Sequence, residues 1–567
     1  MIYYMYSIAK NIQIVIASLK AHNIRYLVLN PGGTNAPFIR NVQDDTFFTC
    51  YSIVDERSAL YFAIGIYLAT GEPVAVCCTS AQATRNFIPG LTEAFYKHVP
   101  ILAITFSKHY RFVGQDYMQA PNQISLPVDS VKKSYALPYV SNEHDYKHCV
   151  RLANEAMMDL NHKVPAPIQL NIPMLDTELG QDTEEILPQI KVIKRYYLED
   201  VKNLNLANRK VLIVVGENQS IDDTSIIRFA ERTNTVIYVN QLSNMRNDYT
   251  VEGNLLLTVI SQKDFDDKYS PDILITIGGQ TGDYPLYHKL AEGEKCFEHW
   301  RISPVGDVVD TYDRLTKVFE CNIEDFFDNI SCQNSDHSYL NFWKESILNY
   351  NIDIDIPLSN AYVAQKLHNL IPEGSYVNFA ILNSLRVWNL FHIKNKVKCF
   401  SNVGAFGIDG GLSTLIGQSV VTNNLCYMVI GDLSFLYDMN SLGIRHIRNN
   451  LRVILINNQG GIEFKYGGTA ERRKSIDRYI AAAGHFKNAK GWTETNGLTY
   501  YPVTNTDDLN RIIPLLVVDS EKSILIEVFT TDQNESDAMF AILEANRYKS
   551  FGSQLSSRIK SGLKRFF

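Results

Sequence analysis

No apolar run in this chain approaches the roughly 18 residues that a bilayer-spanning helix needs. The stretch MIYYMYSIAKNIQIVIASLK carries neither the basic n-region nor the small-residue cleavage site of a signal peptide, which makes the cytoplasm the expected compartment. Nine cysteines, at positions 50, 77, 78, 149, 296, 321, 332, 399 and 426, show no CxxC or Cys/His spacing that could hold a metal. Their odd number speaks against a disulfide framework, so they are expected to be reduced core residues. There is no excess of positive charge: 54 basic against 61 acidic residues give a net of −7, and no nucleic acid partner is expected. Neither VVGENQS (from Val214) nor TIGGQTG (from Thr276) completes GxGxxG with an acidic residue about 20 positions on. An NAD- or flavin-dependent oxidoreductase is therefore only an alternative, and a yellow colour on purification would support its flavin version.

What is present is ordinary globular material. With 46% hydrophobic and only 20% charged residues the chain can bury several cores, and 567 residues at about 150 per domain predict three to four domains. Short β-branched runs alternate with helical patterns: YLVL, VAVCC, ILAITF and IQLNIP in the first third, KVLIVVGE, TVIYVNQ and DILITIGG in the middle, then YMVIG, RVILINN and SILIEVF. This is βαβα grammar, and it predicts an α/β protein with three Rossmann-like domains and mainly parallel sheets. The boundaries are drawn at residues 1–185, 186–335 and 336–548, with residues 174–208 as a linker and a basic tail at 549–567. The first and third domains share the same grammar although no repeat of 20 to 50 residues is evident.

The most informative segment is GDLSFLYDMNSLGIRHIRNNLRVILINNQGG, from Gly431 to Gly461. Gly-Asp at a strand end lets the backbone approach a phosphate and offers one hard carboxylate oxygen, and a helix is expected from Phe435 onward. Asn458 closes the next strand. A strand, helix and strand of this length return to one edge of a parallel sheet, so Asp432 and the Asn458 amide converge outside the strand carboxyl ends. Oxygen ligands completed by phosphate and water suit Mg²⁺. Taken alone, GD and NN are also common turn residues. Glu56, in VDERSALYFAIGIYLATGEPVAV, stands at the start of an apolar helix, where a carboxylate ordinarily complements the helix dipole.

The combination of spacing, intervening helix and sheet-edge placement resembles the thiamine diphosphate enzymes. In that family a glutamate placed like Glu56 pairs with the cofactor pyrimidine N1′. The pairing favours the imino tautomer, whose nitrogen takes the proton from thiazolium C2 and readies it to attack a 2-oxo acid. The two domains meet in that family across a subunit interface, which implies a homodimer or homotetramer.

SNVGAFGIDGGLSTLIGQS (from Ser401), GDLSFLYDMNSL, NNQGG, DERSA and NSLRVW are similar to the menaquinone-pathway SEPHCHC synthases across roughly residues 10–545. The resemblance implies thiamine diphosphate and Mg²⁺ without flavin, and small-molecule partners: a 2-oxo acid donor and an acceptor. Carried over by residue, it makes Asp432, Asn458 and the Gly460 carbonyl the metal ligands, and places Gly431, Leu433 and Ser434 along the diphosphate. Ile462 and Phe464 line the cofactor, Gln119 contacts the reacting centre, and Ser384 binds substrate.

The departures concern cations. Thr34, in PGGTN, Trp388 and Val403 stand where those synthases have arginines; Lys108 replaces an arginine, and Asp283 replaces a lysine. Losing cations that face buried carboxylates costs a few kcal/mol each. The expected enzyme is therefore a 2-oxo acid decarboxylase or carboligase with a less anionic substrate pair, its pocket made more apolar by Trp388, Val403 and Phe406. Arg386 is the one residue that could restore anion binding from a shifted position. The alternatives are a SEPHCHC synthase proper and a non-catalytic cofactor-binding protein. No catalytic histidine is assigned, and His446 is read as part of the helix after GDLSF. The tail from Ala545, with six basic and no acidic residues, could make weak membrane contact.

Overall fold

Strands that are apolar on both faces belong in the middle of a parallel sheet covered by helices on each side. The computed structural model, which describes residues 6–183, 186–204, 206, 208–218, 221–331, 336–466, 470–477 and 479–547, has this construction three times. The chain divides into two compact units, Met1–Arg195 and Tyr196–Phe567.

In the first unit six parallel strands run in the spatial order Thr49–Ser52, Tyr26–Leu29, Val74–Cys78, Ile101–Lys108, Ile168–Met174, Lys133–Ala136. Their side chains alternate between two cores. Leu27, Leu29, Ala75, Cys77, Leu102 and Ile104 enter one; Val28, Val74, Val76, Cys78, Ile101 and Ala103 enter the other. Helix Glu56–Thr70 packs on the second face. Asp55 caps it by accepting from Ser58 N at 2.8 Å, and Gly71 ends it at φ 73°, a left-handed conformation that suits glycine. The stretch read as a linker is drawn into this unit as far as Arg195. The Asn154 amide donates to Lys191 O and its oxygen accepts from Ile193 N, both at 2.9 Å, while Asp182–Thr183 pairs back with Tyr6–Ser7.

The second unit holds two sheets. One has the order Thr250–Val251, Thr235–Tyr238, Val211–Val215, Ile273–Ile277, Glu298–Ile302, Leu315–Phe319, with Lys194–Tyr196 at its edge. The chain reverses direction of growth between Val211–Val215 and Ile273–Ile277, which leaves a crevice beyond their carboxyl ends. The other runs Lys398–Ser401, Tyr376–Phe379, Cys426–Gly431, Leu451–Asn457, Ile524–Phe529, Thr499–Val503. In chain order its strands are arranged as in the first unit: second, first, third, fourth, sixth, fifth. The boundary expected near residue 335 falls at 332–335, outside the described residues, as do Cys332 and the basic tail from residue 548 on.

Two local expectations are corrected. The helix after Gly431 starts at Asp432 and ends at Asp438, not from Phe435 onward, and a 3-10 turn, Met439–Gly443, follows it. His446 therefore lies in the turn beyond, outside that helix. Among the cysteines, Cys296 is exposed and Cys50 and Cys321 are half-buried, so these three are not core residues. Among the described residues no helix is long and apolar enough to cross a membrane.

Candidate functional site

Strand Cys426–Gly431 delivers Asp432 to the carboxyl edge of the third sheet, where it is 3% exposed. Asp438, at the far end of the short helix, accepts from Ser413 N at 2.7 Å and Ser413 Oγ at 2.6 Å and so ties the helix to Gly411–Ser419. Asp432 Oδ1 accepts from its neighbour Leu433 N at 2.6 Å. Oδ2 takes Gly460 N at 3.0 Å and faces His485 Nε2 at 3.1 Å. Burial raises the carboxyl's pKa, and the bond from His485 works against that rise. Ser434 Oγ donates to Ile408 O, and Gly431 leaves open space where a side chain would stand.

The two asparagines at the end of strand Leu451–Asn457 differ in how they are engaged. Asn457 is spent structurally: its amide donates to Glu527 Oε1 at 2.7 Å and Lys487 O at 2.9 Å. Glu527 is fully buried and also takes Tyr500 OH and Ala489 N. The half-buried Asn458 is the amide left for a ligand. Gln459 then turns at φ 64°, and Gly460 lies so close to the following segment that a Cβ would meet Ala481 O at 2.8 Å and Ala483 Cα at 2.9 Å. That close approach, which only glycine permits, brings residues 481–485 over the turn and His485 onto Asp432. Among the described residues no three His, Cys, Asp or Glu side chains converge as a self-sufficient metal cage. One carboxylate, one amide and one carbonyl suit a cation that keeps water and phosphate in its shell.

Beyond the turn, Ile462 is buried while Phe464 is 51% exposed. Between them Glu463 accepts from Arg386 Nη1, and the Arg386 guanidinium lies 4.1 Å from the centre of the Tyr284 ring. The expected substrate residues of this unit are not all presented to a ligand. Trp388 is fully buried against Phe379, with its indole N–H on Asn360 Oδ1 at 3.1 Å, so it is a core residue and does not line a pocket. Val403 is 1% exposed, and Ser384 is buried in helix Asn383–Trp388. Asp283 borders a cavity of about 600 Å³ with Tyr284, Tyr287, Arg301 and Phe406. Both its oxygens are already engaged: Oδ1 caps helix Tyr284–Glu292 through Leu286 N at 3.0 Å, and Oδ2 takes Tyr238 OH at 2.6 Å. Asp283 thus has an architectural role in the fold, while it also borders the cavity where substrate hydroxyls were expected.

In the first unit Glu56 sits in the opening turn of its helix, and Oε2 accepts from Asn86 Nδ2 at 3.0 Å. Thr34 is buried, with its N–H on Thr79 Oγ1 and its hydroxyl 3.1 Å from Ser80 Oγ. Lys108 pairs with Asp176, which also takes Tyr117 OH at 2.7 Å. Gln119 is exposed at φ 58°, an uncommon backbone for a side chain other than glycine, asparagine or aspartate.

Sequence reasoning missed His485, Asn86, Glu463 and Glu535. Glu535, on helix Asp532–Ala545, is 1% exposed and accepts from Asn360 N at 2.9 Å and Tyr466 OH at 3.4 Å. Burial pushes its pKa from 4.5 up to about 7. The folded chain thus holds this proton more tightly than the unfolded one, so stability is lost as pH rises from about 4.5 to about 7 and stays lost above that. For a shift of this size the loss is roughly 3 kcal/mol. Urea unfolding of Glu535→Gln should lack this part of the decline between pH 5 and pH 8; an unchanged pH profile would refute the assignment.

Comparison with known proteins places these features. Residues 10–126 match the N-terminal TPP binding domain of the thiamine pyrophosphate enzymes. The chain is 34% identical over 561 residues to the 2-succinyl-5-enolpyruvyl-6-hydroxy-3-cyclohexene-1-carboxylate synthase of Bacteroides thetaiotaomicron, covering 94% of this chain and 98% of that protein. The synthase of the same name from Phocaeicola vulgatus is 34% identical over 560 residues, with 94% and 97% covered. That of Flavobacterium johnsoniae is 28% identical over 533 residues, with 91% and 95% covered.

Proposed function

Because the chain belongs to the thiamine diphosphate-dependent 2-succinyl-5-enolpyruvyl-6-hydroxy-3-cyclohexene-1-carboxylate synthase family, we propose that it is a Mg²⁺-dependent 2-oxo acid decarboxylase and carboligase whose donor and acceptor are less anionic than those of its relatives. The observation that carries this reading is the convergence of the Asp432 carboxylate on Gly460 beside the uncommitted Asn458. When bound, thiamine diphosphate supplies the electron sink through which a 2-oxo acid loses CO₂ and its acyl carbon passes to an acceptor.

The chain's own residues do the rest. Asp432, Asn458 and the Gly460 carbonyl would hold Mg²⁺ and through it the diphosphate, with Gly431, Leu433 and Ser434 along the phosphates. The strict fit of Gly460 against Ala481 and Ala483 fixes that turn. Glu56 would hold the proton at pyrimidine N1′, with its carboxylate aimed by the Asn86 amide. Ile462 would keep water from the reacting face, and Gln119 would meet the donor. In this reading the working species is a homodimer or homotetramer, as the family resemblance implies. The reduced need for anionic substrates is supported by Thr34 and Val403, which carry no charge, and by Lys108, which Asp176 neutralises.

With Mg²⁺ and thiamine diphosphate supplied, CO₂ release should be faster from pyruvate or another 2-oxo acid with an uncharged tail than from 2-oxoglutarate. Preferred release from 2-oxoglutarate would favour the second reading, a synthase with the relatives' own substrates, which the 34% identity over nearly the whole chain supports. Cofactor binding without release from any 2-oxo acid would leave a binding protein.

A further inference from the structure

Arg386 is the cation best placed to grip a carboxylate near the Gly460 turn, and its surroundings show how it is used. One edge of the guanidinium is closed by Glu463, which the turn Ile462–Phe464 presents directly after Gly460 and Gly461. One face is covered by Tyr284, which itself lines the 600 Å³ cavity. The side chains of Arg386 and Glu463 are 5% and 13% exposed. The pair is poorly finished as a structural element. Glu463 Oε2, Arg386 Nε and the nearby Asn383 Oδ1 are buried without hydrogen-bond partners. A buried ion pair with valences left open is a weak source of stability, so fold maintenance does not account for it. The cavity repeats the pattern: Arg301, which lines it, donates to Gly278 O at 2.8 Å and lies 3.7 Å from Asp307.

We infer that Glu463 is a built-in counter-ion that occupies Arg386 where a substrate carboxylate would otherwise bind, so that the site refuses polycarboxylate acceptors and takes neutral, hydroxyl-bearing ones. This rests on the reading of the preceding section and adds the group that sets its specificity. A neutralised guanidinium gives a free carboxylate little net attraction, whereas a neutral hydroxyl-bearing acceptor does not depend on a free cation for its binding. Burial raises the Glu463 pKa and Arg386 opposes that rise.

The test is calorimetric titration of the holoprotein, loaded with Mg²⁺ and thiamine diphosphate, with succinate as the dicarboxylate probe and glyceraldehyde as the neutral one. Wild type should bind glyceraldehyde in preference to succinate. Glu463→Gln, which keeps the shape and removes the charge, should bind succinate at least 10-fold more tightly, and adding Arg386→Met should abolish the gain. A succinate affinity unchanged by Glu463→Gln in a variant that still binds cofactor overturns the proposal. So does a wild type that prefers succinate, a result that stands even if the variants do not fold. Failure of the wild type to bind thiamine diphosphate at all would instead remove the underlying reading, and the proposal with it.

Discussion

Glu56→Gln should lower the rate of CO₂ release by about 10²- to 10⁴-fold, the range that one positioned acid–base group contributes, while thiamine diphosphate affinity changes by only a few fold. The separation follows from placement. Glu56 belongs to the first unit, and among the described residues its side chain accepts one hydrogen bond, from Asn86 at 3.0 Å, which a glutamine oxygen can also accept. The substitution therefore leaves the helix and its Asp55 cap intact. What it removes is the ability to hold a proton at N1′, since an amide does not exchange one at neutral pH. Steady-state rates and cofactor titration on the same preparation decide the matter. A variant with rates within 10-fold of wild type would mean that Glu56 serves only its helix.

The second large effect is expected at Asp432. Asp432→Asn should weaken Mg²⁺-supported cofactor binding by about 100-fold or more, as the loss of a charged partner in a buried site implies. The same change should leave the apoprotein as stable as wild type or more so. The carboxylate is buried and its pKa is raised chiefly by that burial, so the apoprotein bears a cost that an uncharged amide avoids. The sign also fixes the pH behaviour: for a group whose pKa is raised on folding, the ionised form detracts from stability, and the gap between variant and wild type should widen as pH rises through the carboxyl's titration. Thermal unfolding with and without Mg²⁺ and cofactor reads both halves. Unchanged cofactor binding would remove Asp432 from the metal site.

The sequence was legible where chemistry and burial coincide. Central strands such as VAVCC and ILAITF are apolar on both faces and announce themselves. Edge strands do not: Thr49–Ser52 is largely exposed, Lys133–Ala136 is polar, and Thr499–Val503 carries a proline, so none has the expected signature. Asp432 and the turn at Asn458 were readable as neighbours because strand, helix and strand return to one sheet edge, whereas Gly460 was legible only through the family resemblance. His485 was not, since it reaches Asp432 through irregular chain that only the tight approach at Gly460 brings back. Asp283 and Trp388 show the opposite failure. Their identity suggested ligand contacts, but Asp283, though it borders the cavity, also caps a helix, and Trp388 is packed in the core; a single position in a motif does not reveal which neighbour will take its side chain. Glu463 was hidden for a related reason: its meaning depends on Arg386, 77 positions away.

The first and third sheets have one strand order, so their corresponding connections can be compared position by position. In the first sheet the connection after the second strand carries Glu56, while that after the third carries Thr79 and Ser80, which bond to Thr34. In the third sheet the same two connections carry Val403, a buried apolar residue, and Asp432. One winding plan therefore does not dictate which connection bears the chemistry: in the reading proposed above, the acid–base group and the metal ligand sit on non-equivalent connections of two like sheets.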